Sequence, residues 1–230
     1  MPLSTVKNRS RERFNEVLQN LTFVESIEPD GEPPMHVKIQ RGLYYVHLYS
    51  ALEKVVNETV EQSLLVIESH NIPNHKYQTK FNVIALNGKM MAFKNCGSRD
   101  YFNKSIDIFD SVNSSEVFNI NNTVLSGTLQ NVWFKTIQTT LESFGISQLT
   151  VEPRVRFTVD EVVEKRNAVA HGRETPVEVG ERFRCEVLRN KTADIQLVTD
   201  MFVDAFENYL INVEYVKIRL SLKLRCIRCY

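Results

Sequence analysis

Several features that would assign the chain to a specialised class of protein are missing from the sequence. No apolar run approaches the ~20 residues that a membrane-spanning helix needs, and no apolar signal core follows the basic N-terminus. Four cysteines among 230 residues are too few for a disulfide framework. These absences predict a globular protein of the reducing cytoplasm that does not associate with membranes.

A net charge is also missing, because 28 basic residues balance 28 acidic ones. A neutral chain does not coat nucleic acid by bulk attraction, so any contact with RNA must be local. The basic residues are nevertheless spread unevenly, and residues 216–230 hold five of them without an acidic residue.

Clusters of metal ligands are absent too. Cys226 and Cys229 have CxxC spacing, but no second pair and no suitable histidine lies nearby. His70 and His75 stand on either side of Pro73 and share no helix face. Since a zinc site takes about four ligands, we expect no bound metal, and nothing in the sequence indicates another cofactor.

Helical periodicity is the main pattern that is present. It predicts helices over about 4–24, 38–70, 98–112, 125–144, 158–172 and 190–214. Asn87-Gly88 lies between short apolar runs, which predicts a type I′ turn and a β-hairpin at about 82–93. No linker-like stretch divides the chain, so we expect one mainly α domain over 1–215, an up-and-down helical bundle with this small hairpin.

Residues 216–230 form a separate basic tail in this prediction. Apolar residues alternate there with mostly basic ones, which is typical of a strand with one apolar and one basic face. This possible C-terminal strand either pairs with the hairpin or becomes ordered on a partner.

The sequence RNAVAHG, residues 166–172, stands at the end of a predicted helix, and Gly172 is its natural stop. Asn167 and His171 are four residues apart and face one space, whereas Arg166 points about 140° from His171. One helix therefore does not aim Arg166 and His171 at the same point. Two copies that face each other across a two-fold axis can do so, which indicates a composite site in a homodimer.

These residue types suit the cleavage of RNA without a metal. The guanidinium of Arg166 is a planar fork for a phosphate, and the negative end of the helix dipole favours a protonated His171. A base can remove the proton of the 2′-OH, which attacks the phosphate, while an acid protonates the leaving oxygen. The alternative is structural, because Arg and His near a helix end also stabilise the dipole and cap carbonyls.

The long second helix carries a further candidate pair. Tyr49 and Glu53 are four residues apart and share a face, so Glu53 can orient a catalytic group if that face borders the motif helix. An aromatic stripe of this kind is also typical of a buried core.

RNAVAHG resembles the signature of the HEPN superfamily, in which an arginine and a polar residue precede a histidine. The order of helices is similar over about residues 5–212, most of all to small prokaryotic HEPN proteins of toxin–antitoxin and anti-phage loci, including the RiboL-PSP type. The resemblance implies a bundle that dimerises through its motif helices and a metal-independent endoribonuclease restrained by a cognate antitoxin or defence-system partner protein.

The resemblance also implies roles for single residues. Arg166 would hold the scissile phosphate, His171 would act as acid or base, and Asn167 would have a positioning or hydrogen-bonding role. Lys165 and Arg173 flank these residues as candidate RNA contacts. Many family toxins have a tyrosine just beyond the histidine, where this chain has Arg173 and Glu174. Some members are inactive modules that bind a nucleotide or a partner effector, so this alternative stays open.

Overall fold

In a computed structural model, which describes residues 1–217, the chain is a helical bundle, as predicted. The helices are α1 (Ser4–Ser26), α2 (Met35–Ser69), α3 (Asn82–Ala85), α4 (Asn87–Lys94), α5 (Tyr101–Val112), α6 (Phe134–Phe144), α7 (Pro153–Ala170), α8 (Pro176–Glu181) and α9 (Cys185–Ile211). Short 3₁₀ turns occur at Asn74–Lys76 and Thr128–Gln130. None of the helices within residues 1–217 combines the length and apolarity needed to cross a bilayer.

The 35-residue helix α2 is the centre of the bundle and contacts α1, α7, α8 and α9. Its buried side chains surround the axis instead of forming one narrow stripe, which is the pattern of a helix packed on several sides. They include Tyr44, Tyr45, Leu48, Tyr49, Leu52, Val55 and Val56. Burial of each large side chain contributes about 1.5–3 kcal/mol relative to exposure.

Two glycines allow α8 to lie directly against α2. A Cβ atom on Gly42 would stand 2.0 Å from the carbonyl oxygen of Pro176, and one on Gly180 would stand 1.8 Å from that of Lys38. Such distances exclude any side chain at either position. The close crossing places α8, and with it the turn that follows the motif, at a defined position on α2.

Helix α7 begins earlier than the sequence predicts. The helical pattern predicts a start at about 158, but the helix begins at Pro153, whose fixed φ suits the first turn. Thr158 is buried inside the helix, where its hydroxyl hydrogen-bonds to the carbonyl oxygen of Arg154 and to Asp194 of α9. Thr158 therefore lies inside the helix and contacts α9 instead of standing at the start of α7.

The predicted end of α7 at Gly172 is confirmed. Gly172 has φ +67°, and the backbone N–H of Arg173 donates to the carbonyl of Ala168 at 2.8 Å. Together with the bond from Gly172 N–H to the Val169 carbonyl, this forms a Schellman motif. His171 is consequently the C-capping residue of the motif helix.

The predicted β-hairpin at 82–93 is wrong, because this stretch forms α3 and α4. A type I′ turn needs positive φ at both Asn87 and Gly88, and neither residue adopts it. The N–H of Met90 donates instead to the carbonyl of Leu86 at 3.0 Å, which is helical bonding. Leu86 and Ile84 are buried, so tertiary packing outweighs the local Asn-Gly signal.

The proposed C-terminal strand lies largely outside the described residues. Within them, Val216 forms an isolated antiparallel bridge with Tyr77. No sheet occurs between Met1 and Lys217, and residues 218–230 are not described.

Candidate active site

The end of α7 packs on the middle of α2 and brings four of the predicted residues together. The guanidinium carbon of Arg166 lies 4.3 Å from the centre of the Tyr49 ring. Its Nη2 lies 3.8 Å from Glu53 Oε2, and its Nη1 donates to Asn167 Oδ1 at 2.6 Å. The face of α2 that carries Tyr49 and Glu53 thus borders the motif helix. We call this group the arginine clamp (Tyr49, Glu53, Arg166 and Asn167).

Tyr49 is the fixed part of the arginine clamp. Its hydroxyl donates to the carbonyl of Gln130 at 3.0 Å and accepts from the N–H of Val132 at 3.1 Å. Burial raises the pKa of Tyr49 to about 12, so the phenol stays protonated near neutral pH. The ring is therefore held from behind by the segment before α6, and its face is presented to Arg166 as a cation–π partner.

Glu53 is partly withdrawn from water. Burial raises the pKa of this carboxyl above its ordinary value, although the charge of Arg166 acts in the opposite direction. Its main-chain carbonyl also accepts from the amide of Asn57, which reaches across to the carbonyl of Leu129 as well. Glu53 thus sits where a charged carboxylate is costly and an adjacent cation lowers that cost.

Arg166 is restrained but still accessible, with 22% of its side chain exposed. Its 3.8 Å contact with Glu53 is long for a charge-assisted hydrogen bond, so that contact is weaker than an ideal fork of two bonds. An anion that offers better geometry can compete with Glu53 for the guanidinium.

His171 lies on the exposed surface at the end of α7. Its backbone N–H donates to the carbonyl of Asn167 at 3.1 Å. Among residues 1–217, no hydrogen bond or ion pair involves its imidazole or joins it to Arg166. A single copy therefore brings Arg166 and Asn167 into the arginine clamp and leaves His171 outside it.

The turn after His171 is held from both sides. Glu174 accepts from Lys165 at 3.3 Å and pairs with Arg182 at 2.6 Å, while Thr175 and Glu178 form a capping box that starts α8. Lys165 is thus engaged with Glu174, whereas Arg173 is exposed and has no side-chain partner in the described part of the chain. Arg173 is the more accessible of the two candidate RNA contacts.

A groove of about 460 Å³ runs between α1 and α2 and reaches the clamp through Glu53. Its polar lining includes Arg13, Glu16, His47, Ser50, Lys54, Asn57 and Glu61. Sequence reasoning did not identify this groove or the backbone groups of Gln130 and Val132 that hold Tyr49. The hydrogen bonds of Tyr49 with Gln130 and Val132 join positions that are more than 80 residues apart, and no local sequence pattern predicts them.

A bundle whose motif helix ends in an exposed histidine, with the motif arginine against the long second helix, defines a HEPN domain. The match to a family model makes this specific: the chain belongs to the RiboL-PSP-HEPN family, whose model matches residues 8–212. A search of curated proteins found no match, and a search of solved structures found none either.

Proposed function

We propose that this protein is a metal-independent endoribonuclease of a toxin–antitoxin or anti-phage system. It would act on RNA in the cytoplasm as a homodimer, under the control of a cognate antitoxin or defence-system partner protein. The observation that carries the proposal is the arginine clamp. It holds an accessible and oriented guanidinium, and an exposed imidazole follows five residues later at the end of the same helix.

In the proposed reaction, His171 takes the proton of a ribose 2′-OH or gives a proton to the leaving 5′-oxygen. The 2′-oxygen attacks the adjacent phosphorus, the bond to the 5′-oxygen breaks, and a 2′,3′-cyclic phosphate is left. Arg166 stabilises the charge that accumulates on the phosphoryl oxygens. DNA lacks the 2′-OH and is not a substrate.

The clamp explains how Arg166 can change partner during this reaction. A phosphate offers the guanidinium two oxygens in the geometry that favours paired hydrogen bonds. Tyr49 keeps the guanidinium plane in place while the phosphate displaces Glu53, and Asn167 limits the rotation of Arg166. We assign Tyr49, Glu53 and Asn167 positioning roles, and the role of acid or base to His171.

The test is cleavage of RNA by the purified full chain in excess EDTA. We expect cleavage to persist in EDTA, to yield cyclic phosphate ends and to fall at least 100-fold in His171→Ala. His36→Ala, which changes another exposed histidine on a helix, serves as the matched control and should keep full activity. Cleavage that EDTA abolishes, or an unaffected His171→Ala variant, would refute the proposal.

A second candidate function is an inactive HEPN module that docks onto a partner effector or binds a nucleotide. Within one copy the guanidinium of Arg166 already contacts Glu53 and Asn167, and this observation favours the inactive module. In that case no RNA turnover is seen, and the affinity for the partner is the same in Arg166→Ala and His171→Ala as in the unchanged chain.

A further inference from the structure

Helix α5 turns an apolar face towards solvent. Phe102, Ile106 and Phe109 lie within an arc of about 60° on the helix and are exposed by 75%, 57% and 72%. We call these three residues the α5 face. The main contacts of α5 within residues 1–217 are with α4 and the 3₁₀ turn Asn74–Lys76, and neither covers this face. An exposed apolar patch of this kind marks a binding surface.

A hollow adjoins the α5 face at the start of the helix. It has a volume of about 540 Å³, and Phe102 lines it together with Phe93, Lys94 and Tyr101, among others. The rings of Phe93 and Tyr101 lie 5.1 Å apart. Phe109 is exposed seven residues further along, which is about 10 Å on a helix. The surface thus has an aromatic hollow at one end and an exposed aromatic side chain at the other.

The charges beside the α5 face differ between its two ends. At the start, Lys94 lines the hollow, and Arg99 stands in the turn two residues before α5. At the end, Asp110 directly follows Phe109. All three charged side chains are exposed, and none of them has an ion-pair partner in the described range. The face is therefore flanked by positive charge at its start and by negative charge at its end.

The other charged residues of α4 and α5 lie away from the α5 face. Asp107 forms an ion pair with Lys89 of α4 at 2.7 Å. Asp100 and Lys104 are more than 140° from the middle of the face when each residue turns about 100°. These two residues carry opposite charges on the same side of the helix. The division of charge beside the face consequently rests on Lys94, Arg99 and Asp110.

The segments that pack near the end of α5 approach it from the opposite side. Asn74 donates to the carbonyl of Ser111, which is the buried residue of α5 and lies about 170° from the middle of the face. Lys76 belongs to the same 3₁₀ turn, and its carbonyl accepts from Lys217, while the carbonyl of Glu116 accepts from the N–H of Asn74. These two cations and one anion thus lie behind α5.

We propose that the α5 face binds the α5 face of a second copy of this chain, with the two helices antiparallel across a two-fold axis. An axis near Ile106 is equally distant from Phe102 and Phe109. It places Phe109 of each copy against the hollow beside Phe102 of the other. It also brings Asp110 of each copy towards Lys94 and Arg99 of the other, and the negative end of each helix towards the positive end of its partner.

The second copy is the occupant because the face is complementary to itself. A two-fold contact requires that whatever one end offers, the other end accepts. The α5 face meets this condition twice, once with an aromatic side chain and a hollow, and once with opposite charges. Three large side chains from each copy make a small interface, so the pairing depends on protein concentration.

This pairing is separate from a dimer of motif helices, because α5 and α7 are different helices. It joins two single chains, or two dimers if the motif helices also pair. The number of chains in the assembly is therefore at least doubled in either case.

The first test is the mass of the full-length chain, measured by sedimentation velocity over a range of concentrations. Phe102→Ser with Phe109→Ser should reduce the mass of the largest assembly at least twofold. Phe23→Ser changes a phenylalanine on α1 that is exposed by 59%, and this matched control should leave the mass unchanged. An equal mass for the unchanged chain and the double variant would overturn the proposal, and is the result expected if the face binds a different protein.

Charge reversal tests the orientation of the two helices. Asp110→Lys gives positive charge at both ends of the face, and Lys94→Glu with Arg99→Glu gives negative charge at both ends. Each variant alone should associate about tenfold more weakly at low ionic strength, because like charges meet twice. In an equimolar mixture opposite charges meet at both ends, so association should return to that of the unchanged chain.

Two results of the charge reversal would contradict the antiparallel pairing. Single variants that associate as strongly as the unchanged chain would show that the two ends do not meet. A mixture that associates more tightly than the unchanged chain would indicate parallel helices. None of these measurements uses RNA cleavage, so they are independent of the proposed function.

Discussion

At the scale of single residues, Tyr49 joins the stability of the fold to the position of Arg166. Tyr49→Phe keeps the ring but leaves the carbonyl of Gln130 and the N–H of Val132 without their partner. We expect the free energy of unfolding to fall by about 1–3 kcal/mol, measured by urea denaturation. Tyr101→Phe changes a half-exposed tyrosine and should leave it unchanged. An equal effect of the two substitutions would contradict this role of Tyr49.

The raised pKa of Glu53 predicts how the stability of the fold depends on pH. Because burial raises its pKa above the ordinary 4.5, the folded protein binds more protons than the unfolded chain as pH rises through this range. The contribution of Glu53 to stability therefore decreases between pH 4.5 and its raised pKa. The side chain introduced by Glu53→Gln cannot ionise. The variant should therefore be more stable, relative to the unchanged chain, at pH 7 than at pH 4, measured as the free energy of unfolding.

Glu178 provides a control with the opposite sign. Hydrogen bonds from the backbone and side chain of Thr175 lower the pKa of Glu178, so its contribution is present above pH 4.5 and is lost as pH falls. Glu178→Gln should be less stable, relative to the unchanged chain, at pH 7 than at pH 4. Parallel pH dependence in the two variants would show that the surroundings of Glu53 are not the cause.

At the scale of helices, the crossing of α2 and α8 depends on glycine. Gly180→Ala places a methyl group within 1.8 Å of a backbone carbonyl oxygen of α2, which cannot move aside as a side chain can. We expect the free energy of unfolding to fall by about 3 kcal/mol or more. Gly88→Ala is the control, because nothing lies within 4 Å of that site in α4, and it should stabilise by up to about 1 kcal/mol. Similar effects of both changes on the urea midpoint would exclude a close crossing.

Helices with a long periodic pattern of apolar residues can be predicted from the sequence, whereas structure that depends on tertiary contacts cannot. Helices α2 and α9 were predicted because their apolar periodicity extends over 35 and 27 residues. The hairpin prediction at 82–93 is wrong because Asn87-Gly88 is a local signal, whereas the burial of Leu86 is a property of the folded chain that this signal does not contain. The residues of the arginine clamp were named from short spacings, but the anchor of Tyr49 comes from backbone groups more than 80 residues away.

At the scale of the whole molecule, the motif helix separates its two reactive groups. Arg166 is turned inward to α2, and His171 is exposed at the end of α7. A two-fold axis near the end of α7 would place His171 of one copy beside the clamp of the other. We propose that activity requires the homodimer, because each site would take its guanidinium and its imidazole from different copies.

This arrangement predicts that two inactive variants restore each other. Arg166→Ala and His171→Ala should each lack RNA cleavage alone. After mixing under conditions that exchange subunits, half of the dimers are mixed, and each mixed dimer has one intact site of two, so activity should return to about a quarter of the original value. The control is the variant that carries both Arg166→Ala and His171→Ala, mixed with the unchanged chain. Its mixture should show no more RNA cleavage than the unchanged chain at the same dilution. If both groups act within one copy, the mixture stays inactive, because no copy in it carries both Arg166 and His171.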